Sequence, residues 1–172
     1  YSTTGSSHRA NAQPLVIESP IGEMALAHNG NLINAAELRR ELEEEGISFR
    51  TSTDSEVIGQ VIAASPGGSI EQKVRYAMAR LQGAYSLVIM TRDKLLAVRD
   101  YLGVRPLCLG TVNGIGWAVS SESCALDQLG FRYERAVQPG EIVVVDGEGM
   151  RSHPPESVSG ERALCIFEYI YF

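Results

Sequence analysis

The chain has 172 residues, a formal net charge of −6 and 44% hydrophobic residues, a size and content sufficient to bury one substantial core. The negative charge disfavours nucleic acid or an anionic membrane as a partner. No segment approaches the roughly 18 consecutive apolar residues of a membrane helix, and no signal peptide precedes the first predicted strand. We therefore expect a cytosolic protein with one main domain.

The residues that most often bind metals are scattered along the chain. They are Cys108, Cys124, Cys165, His8, His28 and His153. An odd number of cysteines without a CxxC pair indicates neither a disulfide framework nor a complete zinc site, so buried thiols are the simplest expectation. Glycine-rich phosphate loops are also absent from the sequence, which argues against phosphate-loop chemistry.

The first elements in chain order predict a β-hairpin that follows a polar loop. Residues 1–7 are small and rich in hydroxyl groups, which suits either a ligand-presenting loop or a flexible linker. Strands are predicted over 15–18 and 23–27, and polar residues follow the second strand. Among them, Asn29 and Gly30 are most simply a tight turn. An Asn amide beside a Gly N–H also offers two converging donors, as an oxyanion site requires.

Helical periodicity then predicts three helices. Asn34 and Glu37 resemble a capping box at the start of the first helix, which Gly46 ends. A second helix is predicted over 54–64, and Ser69 can cap a third. The apolar stripes of these helices indicate core faces.

Asp54 stands at the start of the second predicted helix, directly after a run of Ser and Thr. Acidic residues are common there because they interact favourably with the helix dipole. A carboxylate at the edge of an element can also bind the ammonium group of a substrate. Position alone leaves both interpretations open.

After Gly83 the pattern changes from helical to strand-like. Strands are predicted over 84–90, 94–100, 107–111, 115–119, 142–145 and 150–152, with one short helix over 122–129. Asn113 and Gly114 predict a turn between two of these strands. Because helices and antiparallel strands are segregated along the chain, the fold class is predicted to be α+β.

Several motifs together carry a family resemblance. Four of them, in the order and spacing of class II glutamine amidotransferases, are YSTTGSS at 1–7, NAQP at 11–14, HNGN at 28–31 and TDSEV at 53–57. Others resemble the amidophosphoribosyltransferase branch of that family: GAYSL at 83–87, GVRPL at 103–107, SSESCALD at 120–127, PGE at 139–141 and CIFEYIYF at 165–172. Tyr101 departs from that branch, which usually has Pro at this turn, and we expect the change to affect the loop and not the chemistry.

The resemblance implies a four-layer αββα sandwich of the N-terminal-nucleophile hydrolase type, with two antiparallel sheets. It also implies that glutamine is hydrolysed to glutamate and ammonia. The ammonia would displace pyrophosphate from phosphoribosylpyrophosphate in a second domain, giving phosphoribosylamine in the first committed step of purine synthesis. Residues 1–160 would form the glutaminase domain, and 161–172 would begin the connection to the phosphoribosyltransferase domain. Mg²⁺ would be needed in that second domain but no cofactor in this one, and a homo-oligomer is expected.

Site residues follow from the same resemblance. The Asn29 side chain and the Gly30 N–H would form the oxyanion hole, Asp54 would bind the α-ammonium group of glutamine, and Thr3 would help to hold its α-carboxylate. The family's nucleophile is an N-terminal cysteine whose own α-amino group is the base. Here Tyr1 comes first, so we expect the nucleophile and a substrate-binding arginine to lie outside this chain, which looks cut at both ends and inactive by itself.

None of the three cysteines present stands at the position of the nucleophile, and the role is transferred to none. Cys165 has an alternative interpretation, because some members of the family use a cysteine at this motif as one ligand of an iron–sulfur cluster. Its partners would lie beyond Phe172. A cysteine without partners is more often structural, and the sequence leaves the cluster open.

Two other functions compete with this hypothesis. The chain could be the glutaminase domain of another class II amidotransferase, such as glucosamine-6-phosphate synthase or glutamate synthase, which the motifs at 103–107 and 165–172 disfavour. It could also be a non-catalytic relative that only binds a ligand or a partner protein.

Overall fold

The computed structural model describes residues 9–112 and 116–155. Its strands are β1 (Leu15–Ser19), β2 (Gly22–Leu32), β3 (Gly83–Met90), β4 (Leu95–Arg99), β5 (Cys108–Val112), β6 (Gly116–Ser120), β7 (Arg132–Ala136), β8 (Ile142–Asp146) and β9 (Gly149–His153). Its α-helices are α1 (Ala35–Glu44), α2 (Asp54–Ala64), α3 (Ile70–Met78) and α4 (Ser123–Gln128), and a 3₁₀ turn covers Arg9–Asn11. Among the described residues, no helix is long and apolar enough to cross a membrane.

The strands form two antiparallel sheets, one in the order β1-β2-β3-β4-β8-β9 and the other in the order β6-β5-β7. Helix α2 packs on β1 and β2, with α1 and α3 beside it, while α4 packs on the smaller sheet. The two sheets face each other between these helical layers. This arrangement confirms the predicted α+β class and the four-layer sandwich.

Two hydrophobic cores hold the layers together. Successive side chains of a strand point to opposite faces of the sheet, so each strand of the larger sheet can contribute residues to both cores. The larger core lies between α1–α3 and the six-stranded sheet, and it includes Leu26, Ile58 and Leu87, all fully buried. The smaller core lies between the sheets and includes Leu109 and Val143. Helix α2 is buried along most of its length, which fixes the position of its N-terminus relative to β2.

The interpretation of Asn29 and Gly30 as a turn at the end of a hairpin is wrong. Strand β2 continues through both residues to Leu32, and Asn29 and Gly30 pair with Ser86 and Tyr85 of β3. The Asn-Gly pair lies inside a strand because β3, much later in the chain, supplies a partner for this half of β2.

The predicted capping box at α1 is also wrong. The Asn34 side chain makes no capping hydrogen bond. Its amide instead donates to the Arg80 carbonyl at 2.9 Å and accepts the Gln82 N–H at 3.1 Å. Asn34 therefore joins the start of α1 to the segment before β3. Ser69 does cap α3, since its hydroxyl accepts the Gln72 N–H.

Strand β7 is absent from the sequence prediction. Its residues, Arg-Tyr-Glu-Arg-Ala, are charged and mostly exposed, so no apolar alternation marks it. It is an edge strand of the smaller sheet, where charged side chains are tolerated. The predicted turn at Asn113 and Gly114 lies outside the described residues, although the strands on either side of it do pair.

Lys73 stabilises the C-terminus of α2. Its buried Nζ donates to the carbonyls of Ala63 (3.0 Å) and Ser65 (2.5 Å). Replacing Lys73 with Met leaves these carbonyls without a donor, so we expect a loss of about 2 kcal/mol or more in the free energy of unfolding. Urea denaturation measures the change.

The control for this variant is Arg40→Met, because the Arg40–Glu44 ion pair is exposed on both sides. That substitution should change the free energy of unfolding by less than about 0.5 kcal/mol. Equal effects of the two substitutions would contradict a structural role for Lys73.

Candidate active site

Strand β2 has an open edge beside its HNG motif. Strand β1 pairs with β2 only between Ser19 and Leu15, so no described strand covers this edge beyond Leu26. The His28 N–H donates to the Gln13 side-chain carbonyl at 2.5 Å. Backbone N–H groups two residues apart in a strand point to the same edge. The open edge can therefore offer amide donors to a ligand.

Gly30 lies between two residues whose N–H groups mark the direction of this edge. The Leu32 N–H donates to Asp54 Oδ2 at 3.0 Å, and the His28 N–H points the same way. By strand alternation, the Gly30 N–H is directed at the space between them. A ligand at this edge therefore meets a backbone donor with a carboxylate close to it.

Only glycine fits at position 30. Its φ is +148°, and a Cβ built there would lie 2.0 Å from the Ala84 carbonyl oxygen of β3. Both the conformation and the close approach of the two strands exclude a side chain. The sheet can adopt this local shape, and present the Gly30 N–H as it does, only because this residue lacks a Cβ.

The Asn29 side chain lies on the opposite face of β2 from that of His28, as alternation requires. Its Nδ2 donates to Ser121 Oγ at 3.4 Å, across 92 positions in sequence. An amide nitrogen carries two hydrogens. Ser121 can therefore orient the Asn29 amide while the second hydrogen serves a ligand. In the sequence, Ser121 is one residue of the SSESCALD motif at 120–127, and no role is predicted for it.

Asp54 begins α2, where the Thr53 hydroxyl accepts the Glu56 N–H as the helix cap. The Asp54 side chain is only 4% exposed. Its Oδ2 accepts the Leu32 N–H, and its Oδ1 lies 3.8 Å from His28 Nδ1. The structure therefore brings Asp54 and Gly30, predicted from separate motifs, to the same edge of β2.

The segment that leads into Asp54 is held by two charged residues that the sequence prediction did not assign. Glu56 accepts the N–H groups of Arg50 (2.8 Å) and Thr51 (2.6 Å). Arg39 donates to the Thr51 and Thr53 carbonyls and stacks on the Phe49 ring at 4.0 Å. Glu56 resembled an ordinary acidic residue in the first helical turn, so the sequence carried no signal for this bracing.

His28 is the other titratable group at the site, and its side chain is 1% exposed. Burial is the main influence on its pKa and lowers it below the ordinary value of 6.5, with a smaller contribution in the same direction from Arg105. Asp54 and the Ala84 carbonyl act in the opposite direction but do not cancel the effect of burial. His28 is therefore neutral at pH 7.

Two predicted site residues, Thr3 and Cys165, lie outside the described residues. The expectation of buried thiols is confirmed for Cys108 on β5 and wrong for Cys124, which is exposed on α4. Burial raises the pKa of the Cys108 thiol, which donates to the Ser120 carbonyl. In the described part of the chain, no group of three or more His, Cys, Asp or Glu side chains is arranged to hold a metal ion.

The lowered pKa of His28 predicts a pH dependence of stability. Below pH 6.5 the unfolded chain binds a proton at this residue that the folded chain does not, so the free energy of unfolding should fall as the pH falls through that value. The limiting slope for one proton is about 1.4 kcal/mol per pH unit. Urea denaturation between about pH 7.5 and 5.5 measures it.

The variant His28→Gln should lose this part of the slope. Its control, His153→Gln on the exposed end of β9, should keep the slope of the unmodified protein. If His28→Gln and the unmodified protein have the same slope, His28 is not held neutral by the fold.

Comparisons with known proteins identify the family of the chain. The sequence model of a family described as "Glutamine amidotransferase domain" matches residues 3–128. Amidophosphoribosyltransferase 2, chloroplastic, from Arabidopsis thaliana is 46% identical over 177 residues, which cover 100% of this chain and 30% of that protein. Amidophosphoribosyltransferase from Mus musculus is 42% identical over 194 residues, covering 100% of this chain and 38% of that protein.

A solved structure shows that a relative has the same fold. It is the glutamine phosphoribosylpyrophosphate amidotransferase from B. subtilis, in complex with ADP and GMP. It superposes with a TM-score of 0.89 at 39% sequence identity, over 97% of this chain and 36% of that one. The chain thus spans about a third of the length of the relatives it matches. It belongs to the glutamine amidotransferase domain family.

Proposed function

We propose that this chain is the glutamine-hydrolysing domain of an amidophosphoribosyltransferase. The whole protein would use the ammonia to displace pyrophosphate from phosphoribosylpyrophosphate and form phosphoribosylamine, in the first committed step of purine synthesis. The relatives that match the whole chain carry this enzyme's name. The observation that carries the proposal is the open edge of β2, where the Gly30 N–H is directed at a space beside the buried Asp54 carboxylate.

The proposed chemistry is acyl transfer from the side-chain amide of glutamine. A cysteine thiolate attacks the amide carbon, and the negative charge moves to the carbonyl oxygen. The Asn29 amide and the Gly30 N–H donate hydrogen bonds to that oxygen, where they stabilise the transition state more than the substrate. Ammonia leaves with the proton that the thiol gave to the α-amino base, and water then hydrolyses the thioester to glutamate.

Substrate binding in this proposal rests on Asp54 and Thr3. Asp54 accepts one hydrogen bond from the Leu32 N–H, and an ionised carboxylate has about four acceptor positions. It can therefore also bind the α-ammonium group of glutamine, while Thr3 helps to hold the α-carboxylate. The nucleophile and a substrate-binding arginine would come from outside this sequence, so the chain by itself is expected to hydrolyse no glutamine.

Several expectations about the whole protein belong to the same proposal. Mg²⁺ would act in the phosphoribosyltransferase domain, to which residues 161–172 would lead, and the protein would be a cytosolic homo-oligomer. The glutaminase domains of other class II enzymes are less favoured, since the Arabidopsis and mouse relatives are amidophosphoribosyltransferases. An iron–sulfur cluster would need partners for Cys165, and no step of the chemistry above depends on it.

The direct test is Asn29→Ala in the full-length protein. Losing one oxyanion donor should lower kcat for glutamine-dependent synthesis by about 10²- to 10³-fold. Synthesis with added ammonia bypasses glutamine hydrolysis and should stay within about twofold of the unmodified protein, which makes it the internal control. Steady-state assays of phosphoribosylamine formation with each nitrogen source measure both rates.

Two outcomes would contradict the proposal. Equal loss of glutamine-dependent and ammonia-dependent synthesis would show that Asn29 has no oxyanion role. Absence of any glutamine hydrolysis in the unmodified full-length protein would instead favour a non-catalytic relative.

A further inference from the structure

Gln13, His28 and Ser55 form a closed hydrogen-bonded ring between β2, the start of α2 and the segment before β1, in which His28 takes part through its backbone N–H and its imidazole. The His28 N–H donates to Gln13 Oε1 at 2.5 Å, Gln13 Nε2 donates to Ser55 Oγ at 3.2 Å, and Ser55 Oγ lies 3.1 Å from His28 Nδ1. The ring joins the residue before Asn29 to the residue after Asp54. It therefore connects the two parts of the proposed glutamine site.

The ring favours one arrangement of the protons. A backbone N–H can only donate, so Gln13 presents its oxygen to His28 and its NH₂ group to Ser55. Among the described residues, the remaining partner of the Ser55 hydroxyl is His28 Nδ1. Because burial keeps the imidazole neutral, the arrangement in which the Ser55 hydroxyl donates to Nδ1 gives every polar group in the hydrogen-bonded ring a partner.

This arrangement prevents His28 from pairing with Asp54. Nδ1 lies 3.8 Å from Asp54 Oδ1 but is already occupied as an acceptor. Charged groups act on His28 from two sides, Asp54 from α2 and Arg105 from the segment between β4 and β5. A neutral imidazole forms no ion pair with Asp54, so the carboxylate stays available to a cationic ligand.

We propose that His28, Ser55 and Gln13 are positioning residues that reserve Asp54 for the α-ammonium group of the substrate. The inference rests on the function proposed above. The ring ties the start of α2, which carries Asp54, to β2, and it occupies His28 Nδ1 as an acceptor so that this nitrogen does not donate to the carboxylate. Substrates with an α-ammonium group are selected as a result.

Removing the Ser55 hydroxyl should weaken the selection for substrates with an α-ammonium group. In Ser55→Ala, Nδ1 loses its donor, so the imidazole can carry its proton on Nδ1 and direct it at Asp54 Oδ1. The substrate ammonium group must then compete with an internal partner. A substrate without that group has no contact with Asp54 to lose.

The experiment compares hydrolysis of glutamine with that of glutaramate, which is glutamine without its α-amino group, in the full-length protein. For Ser55→Ala, we expect the ratio of kcat/KM for glutamine to that for glutaramate to fall at least about tenfold. The change should come mainly from KM for glutamine. Ser55→Thr keeps the hydroxyl and should restore the ratio to within about threefold.

A matched control is available at the other end of the same helix. Ser65 is equally buried, and its hydroxyl donates to the Val61 carbonyl at 2.7 Å. Ser65→Ala should leave the ratio unchanged. Ammonia-dependent synthesis should be retained in every variant and shows that each is folded.

The outcomes are distinct. If Ser55→Ala lowers kcat/KM for both substrates equally, or for neither, the positioning role is overturned while the glutaminase function stands. If the unmodified protein hydrolyses glutamine and glutaramate equally well, Asp54 does not select the ammonium group and the inference fails. If it hydrolyses neither, the proposed function itself fails.

Discussion

The hydrogen bond from the Leu32 N–H to the Asp54 carboxylate is the contact on which the candidate site depends. It joins the end of a sheet strand to the start of a buried helix, two elements that are separate in sequence. It fixes the side chain of Asp54 against the same strand edge at which the Gly30 N–H is directed. The bond is possible because β1 stops pairing at Leu26, which leaves the amide groups beyond that point free to meet side chains.

The layers of the fold keep both partners in place. The apolar face of α2 is buried against β1 and β2, so the helix start cannot move without disturbing the larger core. Arg39 and Glu56 brace the segment before it. On the other side, Gly30 allows β2 to approach the backbone of β3 more closely than any other residue would permit. The geometry at the open edge of β2 is therefore a consequence of helix packing on one face of the sheet and of the pairing of β2 with β3 at its other edge.

Local patterns predicted the helices well. The bounds of α2, the Ser69 cap of α3 and the end of α1 before Gly46 all follow from periodicity and capping rules, because these features depend on neighbouring residues. Features that depend on distant partners were not predictable in this way. The Asn29–Gly30 pair looked like a turn because its partner strand, β3, begins more than fifty residues later. The Asn34 side chain bonds to a segment near residue 81 for the same kind of reason.

The candidate site shows the same division. Asn29, Gly30 and Asp54 are named from motifs, but nothing in the sequence indicated that Gly30 and Asp54 meet at one strand edge. The ring of Gln13, His28 and Ser55 is a tertiary feature, since its members are 15 to 42 positions apart along the chain. Ser121, which contacts Asn29 from 92 positions away, was equally hidden. Sequence motifs therefore name the candidate groups of the site, and the fold determines how these groups are arranged.

Covalent labelling of the full-length protein with a glutamine-analogue diazoketone would show whether the open edge of β2 and Asp54 form a glutamine pocket. Mass spectrometry should find one adduct, on a cysteine outside the 172 residues described by this sequence. Asp54→Asn should slow labelling at least about tenfold, whereas Asp93→Asn, in the turn between β3 and β4, should not. An adduct on Cys108, Cys124 or Cys165, or equal labelling rates for Asp54→Asn and the unmodified protein, would contradict a glutamine pocket at this edge.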